Sequence, residues 1–184
     1  MLFLVFELDG ERYALDARDI VRVLPLQPVR SFAGTPLYIA GVIDHEGAPV
    51  PVIDMAMLAL GRPARMLMST RLVLVDDNAP AASNTLSATP ALTPGDGVPP
   101  RRIALLLECA TRTQTLSPEA FAEAGIATPE ARWLGPVASD PHGFVQWVKV
   151  EQLLDERVRA LLFPDPPTWR DAASGSVSPT GRAP

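Results

Sequence analysis

Apolar runs of strand length, separated by short polar turns, open the chain. "LFLVFEL" (residues 2–8) and "RYAL" (residues 12–15) flank "DGE", and an Asp-Gly step between apolar runs predicts a tight hairpin because glycine takes positive φ without steric cost. "IVRVLPL", from Ile20, extends the pattern until Pro25 and Pro28 break it. "YIAGVID" and "VPVID" then face each other across "HEGAP". Gly47 supplies the turn there, and Pro49 and Pro51 fit edge positions of a ladder, since proline has no N–H to donate. Asp54 caps the apolar "MAMLAL", and Gly61 with Pro63 ends it, which predicts a short helix. "RLVLVDD" and "RIALLLECA" are apolar enough for buried strands. "SPEAFAEAG" predicts a short helix with Ser117 as cap, Pro118 in its first turn and Gly125 past its end. "WLGPVAS" and "GFVQWVKV" flank a turn at "DPH". Residues 151–163 place Leu154, Val158, Leu161 and Leu162 on one side at helical spacing, a terminal amphipathic helix docked through its leucines.

Two stretches break the pattern. Residues 78–101 are dominated by Pro, Ala, Ser, Thr and Gly, too poor in large side chains to offset an ordering cost of roughly 1–2 kcal/mol per residue, and are expected to form a flexible insertion. Residues 164–184 have the same character, with Trp169 their one large apolar group, and are expected to be a disordered tail. Many short strands, tight turns and no βαβ rhythm predict a mainly β protein of one or two small barrels. Val42, Val50, Ile53, Val73 and Leu105 are assigned to its core.

Composition narrows the function. The 184 residues are 47% hydrophobic, enough for a substantial core. A net charge of −5, with 16 Lys and Arg scattered along the chain, argues against nucleic acid as a partner. No apolar run approaches the roughly 20 residues of a membrane span. The opening "MLFLVFELDG" lacks a basic flank and runs into Glu7 and Asp9, unlike a signal peptide. A cytoplasmic protein is expected.

Candidate chemistry is sparse. The two histidines, His45 and His142, both fall in predicted turns, outside any Gly-x-Ser-x-Gly elbow or His-Glu-x-x-His helix. His45 lies on a contact loop, where contact is the expected role. The single cysteine, Cys109, has no partner at ligand spacing and is expected to be a buried small hydrophobe. No glycine-rich phosphate loop follows a strand. Asp16, Asp19, Asp44, Glu46 and Asp54 are best explained as turn acceptors and caps rather than a metal site. No cofactor, no metal and no catalytic residue are expected.

The same residues resemble the CheW-like coupling proteins of bacterial chemosensory systems, from about Phe3 to Phe163. "FELDGERYALDARDIVRVL" resembles that family's first hairpin and following strand. "TPLYIAGVIDHEGAPVPVIDM" resembles its most characteristic stretch, in which Ile or Val, one residue, Gly and Val precede an Asn-x-Arg-Gly turn and then Pro-Val-x-Asp-Leu. "RLVLV", "RIALLLECA" and "WLGPVASDPHGFVQWVKVEQLL" follow in family order. The resemblance implies one CheW-like domain over residues 1–163, a fold of two five-stranded β-barrels packed across a shared seam, with short helices and a C-terminal helix. It implies a non-enzymatic adaptor between a chemoreceptor's cytoplasmic tip and the CheW-like regulatory domain of a CheA-type histidine kinase, recruited to membrane receptor arrays. The partner-binding residues implied by position are Ile20, Val23, Ile39, Asp44, His45, Glu46 and Gly47. The pattern is most similar to the WspB type, which serves surface-sensing arrays controlling a diguanylate cyclase.

One departure from the family stands out. Where the turn expects Asn-x-Arg-Gly this chain has Asp44, His45, Glu46 and Gly47, an anion in place of the cation. A partner surface that is basic at the matching point is expected. Two other classes compete with the adaptor. One is an enzyme with an unfamiliar site; the other is a small-barrel module for a nucleotide or oligosaccharide, for which Trp133, Phe144 and Trp147 are the candidate stacking residues, although closure of the second barrel's core explains them as well.

Overall fold

The computed structural model describes residues 1–77, 101–123, 125 and 128–164. The expected insertion, save Arg101, and the expected tail beyond Pro164 lie outside the described residues. Eleven strands and two short α-helices form the described part: β1 (Leu2–Leu8), β2 (Glu11–Asp16), β3 (Ile20–Leu24), β4 (Ile39–His45), β5 (Ala48–Asp54), α1 (Met55–Leu60), β6 (Arg71–Asp76), β7 (Arg102–Leu107), β8 (Arg112–Thr115), β9 (Phe121–Ala122), β10 (Leu134–Asp140), β11 (Gly143–Val148) and α2 (Glu156–Leu162).

The strands form two sheets, in the orders β8-β1-β2-β11-β10-β9 and β3-β6-β7-β5-β4. The five-stranded sheet agrees with the expected barrel. The other has six strands rather than five, because the two-residue β9 is added beside β10. Both sheets curl. The link from β8 to β9 is residues 116–120, which fully extended reaches only about 20 Å, whereas six flat strands at ~4.8 Å spacing put their edges about 24 Å apart. In the five-stranded sheet, Arg30 exchanges both backbone hydrogen bonds with Val42 of β4, at 2.8 and 2.9 Å. The segment after β3 is thereby drawn onto the opposite edge.

The sheets share one core. Leu4, Phe6, Leu8 and Leu15 of the first pack with Ile43, Val52, Ile53, Leu72, Leu74 and Leu105 of the second. Alternate residues of β1 face the other way, and Phe3 meets Trp147 edge-on at 5.1 Å and Phe121 at 5.3 Å inside the six-stranded sheet. That is why "LFLVF" reads as a continuous apolar run: β1 separates two cores. Val50, Ile53, Val73 and Leu105 are buried as expected, whereas Val42 is only half-buried because it alternates along β4 with the inward-facing Gly41 and Ile43.

The turns follow their sequence logic. Asp9 and Gly10 both take positive φ, 50° and 86°, between β1 and β2, the pair of left-handed residues that a two-residue hairpin favours. Pro49 and Pro51 precede Val52, where β5 begins its parallel ladder to β7, so their missing N–H groups cost no bond there. Asp54 accepts from the amides of Ala56 and Met57 at 3.0 Å and ends α1's unsatisfied start, with its other oxygen taking the Ala64 amide at 2.8 Å.

Two helices differ from expectation. In place of the helix expected over "SPEAFAEAG" stands a single 3-10 turn over Pro118–Ala120, and Ser117 makes no side-chain cap. Phe121 is drawn into the aromatic cluster as part of β9, which extends the backbone where the helix would have continued. The C-terminal helix begins at Glu156, not Glu151: a 3-10 turn over Val150–Gln152 precedes it, and Asp155 caps it by accepting from Val158 at 2.8 Å. Leu153, Leu154 and Val158 are buried, but Leu161 is exposed.

Candidate partner-binding site

β3 is the first strand of its sheet, paired only with β6, and a bulge between Ile20 and Arg22 shifts its register. Ile20 and Leu24 turn inward against the shared core, while Val21 and Val23 remain 40% and 46% exposed. The chain then runs over the surface through Leu26, Phe32 and Leu37, all exposed, Leu37 at 85%. Exposed apolar side chains therefore recur along residues 21–37, a strip in sequence that crosses from β3 to β4. Of the three apolar residues nominated from the sequence, Val23 lies on this strip and Ile20 at its edge. Ile39 does not: it is 6% exposed, packed in the shared core. The strip's other members were missed, because Leu26, Phe32 and Leu37 sit in a proline-broken stretch with no periodicity to mark them.

Gly41 holds this strip in place. Its φ is +142°, and a Cβ there would stand 2.1 Å from the carbonyl oxygen of Arg30. The glycine of the characteristic stretch is thus the position over which the Arg30 backbone crosses β4.

The β4–β5 tip carries Asp44, His45, Glu46 and Gly47 together. Glu46 and Gly47 both take positive φ, 57° and 82°, and Asp44 Oδ1 accepts the Gly47 amide at 2.9 Å. Glu46 reaches back to β3, where Arg22 Nη1 donates to its Oε1 at 2.9 Å. The anion at the family's cation position is therefore paired within the chain, and the pair ties the tip to the strip. His45 is largely covered, with its Nε2 3.9 Å from Glu46; His142 is exposed in the β10–β11 turn.

A second network joins the two sheets. Glu108, at the end of β7, is fully buried and accepts from Arg62 Nη1 at 2.6 Å, the Arg65 amide at 2.7 Å and Arg65 Nε at 2.9 Å. Arg62 also donates to Asp9 in the β1–β2 turn at 2.6 Å. Burial alone would raise the Glu108 pKa, but the Arg62 and Arg65 hydrogen bonds outweigh it and hold it at about 2. Asp140, gripped by Arg12, is likewise held well below the usual carboxylate range.

Cys109 is half-buried rather than buried, in a turn at φ 50°, with Ser69 Oγ 3.7 Å from its sulfur. Among the described residues no group of three His, Cys, Asp or Glu side chains could hold a metal ion, and no helix is long and apolar enough to cross a membrane. Of the candidate stacking residues, Trp133 is buried and Trp147 half-buried, while Phe144 is 69% exposed beside a cleft of about 710 Å³ that Tyr13, Leu134 and Val137 also line.

Comparison with known proteins agrees with this architecture. A solved structure, the scaffolding protein TtCheW from Thermoanaerobacter tengcongensis, superposes with a TM-score of 0.66 at 17% identity, over 85% of this chain and 89% of that chain. No curated protein matches. The family model for the CheW-like domain matches residues 2–158. The chain belongs to the CheW-like domain family.

Proposed function

We propose that the protein is a non-catalytic coupling adaptor of a bacterial chemosensory system. It binds a chemoreceptor's cytoplasmic tip through the strip and hairpin tip around Val23, Glu46 and Gly47, and the CheW-like regulatory domain of a CheA-type histidine kinase through another part of its surface. The observation that carries this, beside family membership, is the run of exposed apolar side chains from β3 to the start of β4, on a body whose two sheets share one core. Anchors of this kind gain roughly 1.5–3 kcal/mol each on full burial, so several of them with a polar rim supply the about 8 kcal/mol of micromolar affinity. In an array, multivalency raises the effective affinity further.

At the tip, Arg22 pairs with Glu46, while Asp44 has no ion-pair partner among the described residues and accepts the Gly47 amide, which favours a receptor or kinase surface that is basic at that point. The sequence pattern supports placing the adaptor in a Wsp-like surface-sensing pathway with a cyclic-di-GMP output, in the cytoplasm beside the receptor array. A ligand-binding module is the second reading, favoured by Phe144 and its cleft; a thermal-shift screen of nucleotides and oligosaccharides with a Phe144→Ala control tests it.

Co-expression with the receptor and CheA-like kinase encoded beside its gene tests the adaptor. Recovery of a ternary complex on a tagged copy is the expected result. A folded protein that retains neither partner would overturn it.

A further inference from the structure

At the opposite end of the β4–β5 hairpin from its tip, a cleft of about 790 Å³ opens between the start of β4 and the C-terminal segment. β4 spans Ile39–His45, which at ~3.3 Å per residue separates the cleft from the tip by about 20 Å. None of the residues assigned to the receptor contact lines it.

Apolar and aromatic groups, Tyr38, Leu58 and the largely buried Trp133, line part of its wall beside Gln152. Its rim is anionic, with Glu130, Glu151, Asp155 and Glu156 all exposed. Of the two guanidinium groups on the lining, Arg159 is buried and committed. Its Nε and Nη2 grip Asp77 at 2.8 and 3.1 Å, and it reaches Glu156 only at 3.4 Å. Arg132 alone remains exposed against four carboxylates. Burial, with smaller contributions from Asp16 and Glu151, raises the Asp19 carboxyl, and burial, with a smaller one from Asp155, raises the Tyr38 phenol.

A rim with four carboxylates against one exposed guanidinium group, around a partly apolar wall, selects its occupant by charge. A second copy of the chain, at net charge −5 and with the same rim, is repelled, as are nucleic acid and anionic lipid. We propose that this cleft docks a third protein partner, a Lys- or Arg-rich segment that inserts an aliphatic or aromatic side chain between Tyr38 and Trp133. The site is additional to the receptor and kinase contacts, so an adaptor that failed to couple those two would still bind here.

The probe is a short fluorescein-labelled peptide with lysines and leucines at helical spacing, compared with a version in which glutamates replace the lysines and one in which glycines replace the leucines. Fluorescence anisotropy against the full chain is expected to show saturable binding of the first only. Glu130→Lys with Glu151→Lys weakens it by about tenfold or more, whereas Glu11→Lys with Glu119→Lys, the same charge change at exposed positions elsewhere, leaves it unchanged. Carbodiimide cross-linking to the unaltered protein, read by mass spectrometry, places the peptide lysines on Glu130, Glu151 or Glu156, independently of how the variants fold. Equal binding of the glycine version, equal loss in both double variants, or cross-links spread over the surface would each overturn the proposal.

Discussion

Replacing Glu108 by glutamine tests the network that joins the two sheets. The glutamine keeps one acceptor oxygen but sets an NH₂ group against two guanidinium groups, so the hydrogen bonds from Arg62, at 2.6 Å, and from Arg65, at 2.7 and 2.9 Å, cannot all survive. Breaking a buried pair from one side costs about 3–5 kcal/mol, but Arg62 and Arg65 are 28% and 52% exposed and regain water, which lowers the expectation to about 2–4 kcal/mol near neutral pH. The sign with pH is fixed by direction: the Glu108 pKa is depressed from 4.5 to about 2. Its stabilisation is therefore fully present above the unfolded value and lost as pH falls toward the folded one. The full shift is worth about 3 kcal/mol, of which roughly 2 kcal/mol is gone by about pH 3. Urea denaturation of both proteins across pH 7 to about 3 measures this. The gap between them is expected to narrow steadily below about pH 4.5. A gap that stays constant over that range would show that the charge of Glu108 contributes nothing and that the network is only packing.

Three further outcomes are expected. Gly41→Ala sets a methyl 2.1 Å from the Arg30 carbonyl oxygen at φ +142°, so the Arg30–Val42 bridge must open; a loss of about 2–5 kcal/mol in chemical denaturation is expected, with faster amide exchange at Val42. Glu46→Arg leaves the exposed Arg22 facing a like charge and weakens binding to a basic partner surface by about tenfold, while Arg22→Glu combined with Glu46→Arg restores the internal pair; stability shifts by less than about 1 kcal/mol in each, because both side chains are exposed. Tighter receptor or kinase binding by the single Glu46 variant would refute the charge assignment. Val23→Asp, at a 46% exposed edge position, changes stability by less than about 1 kcal/mol yet lowers receptor-tip affinity by about tenfold or more in calorimetric titration. Unchanged affinity would remove the strip from the interface.

Most strands were legible in the sequence because each carries its own local signal. Asp9-Gly10 and Glu46-Gly47 announce their hairpins, and Asp54 and Gly61 bracket α1 through cap chemistry that needs no tertiary context. What was hidden depends on contacts between distant segments. Phe121 leaves helical geometry because Phe3 and Trp147 hold it, a partnership spanning most of the chain. Leucine spacing that runs back through "EQLL" predicts a longer C-terminal helix, yet Asp155 is a better cap than a helix interior, and counting from it turns Leu161 to solvent. The site divides in the same way. The tip was legible as a turn, but the Arg22–Glu46 pair depends on the curl of a sheet, which no pattern of residues along β3 reveals. Ile39 and Val23 look alike as sequence; only their places in the folded sheet, one packed into the shared core and the other on the outer side of β3, separate them.

The most direct test of adaptor function is retention of the kinase on receptor-tip assemblies, measured by co-sedimentation with and without this chain. The expected result is that the kinase sediments with the receptor only when the chain is present, and that the Val23→Asp variant fails to retain it. Equal retention in the chain's absence, or full retention by the variant, would contradict the adaptor role.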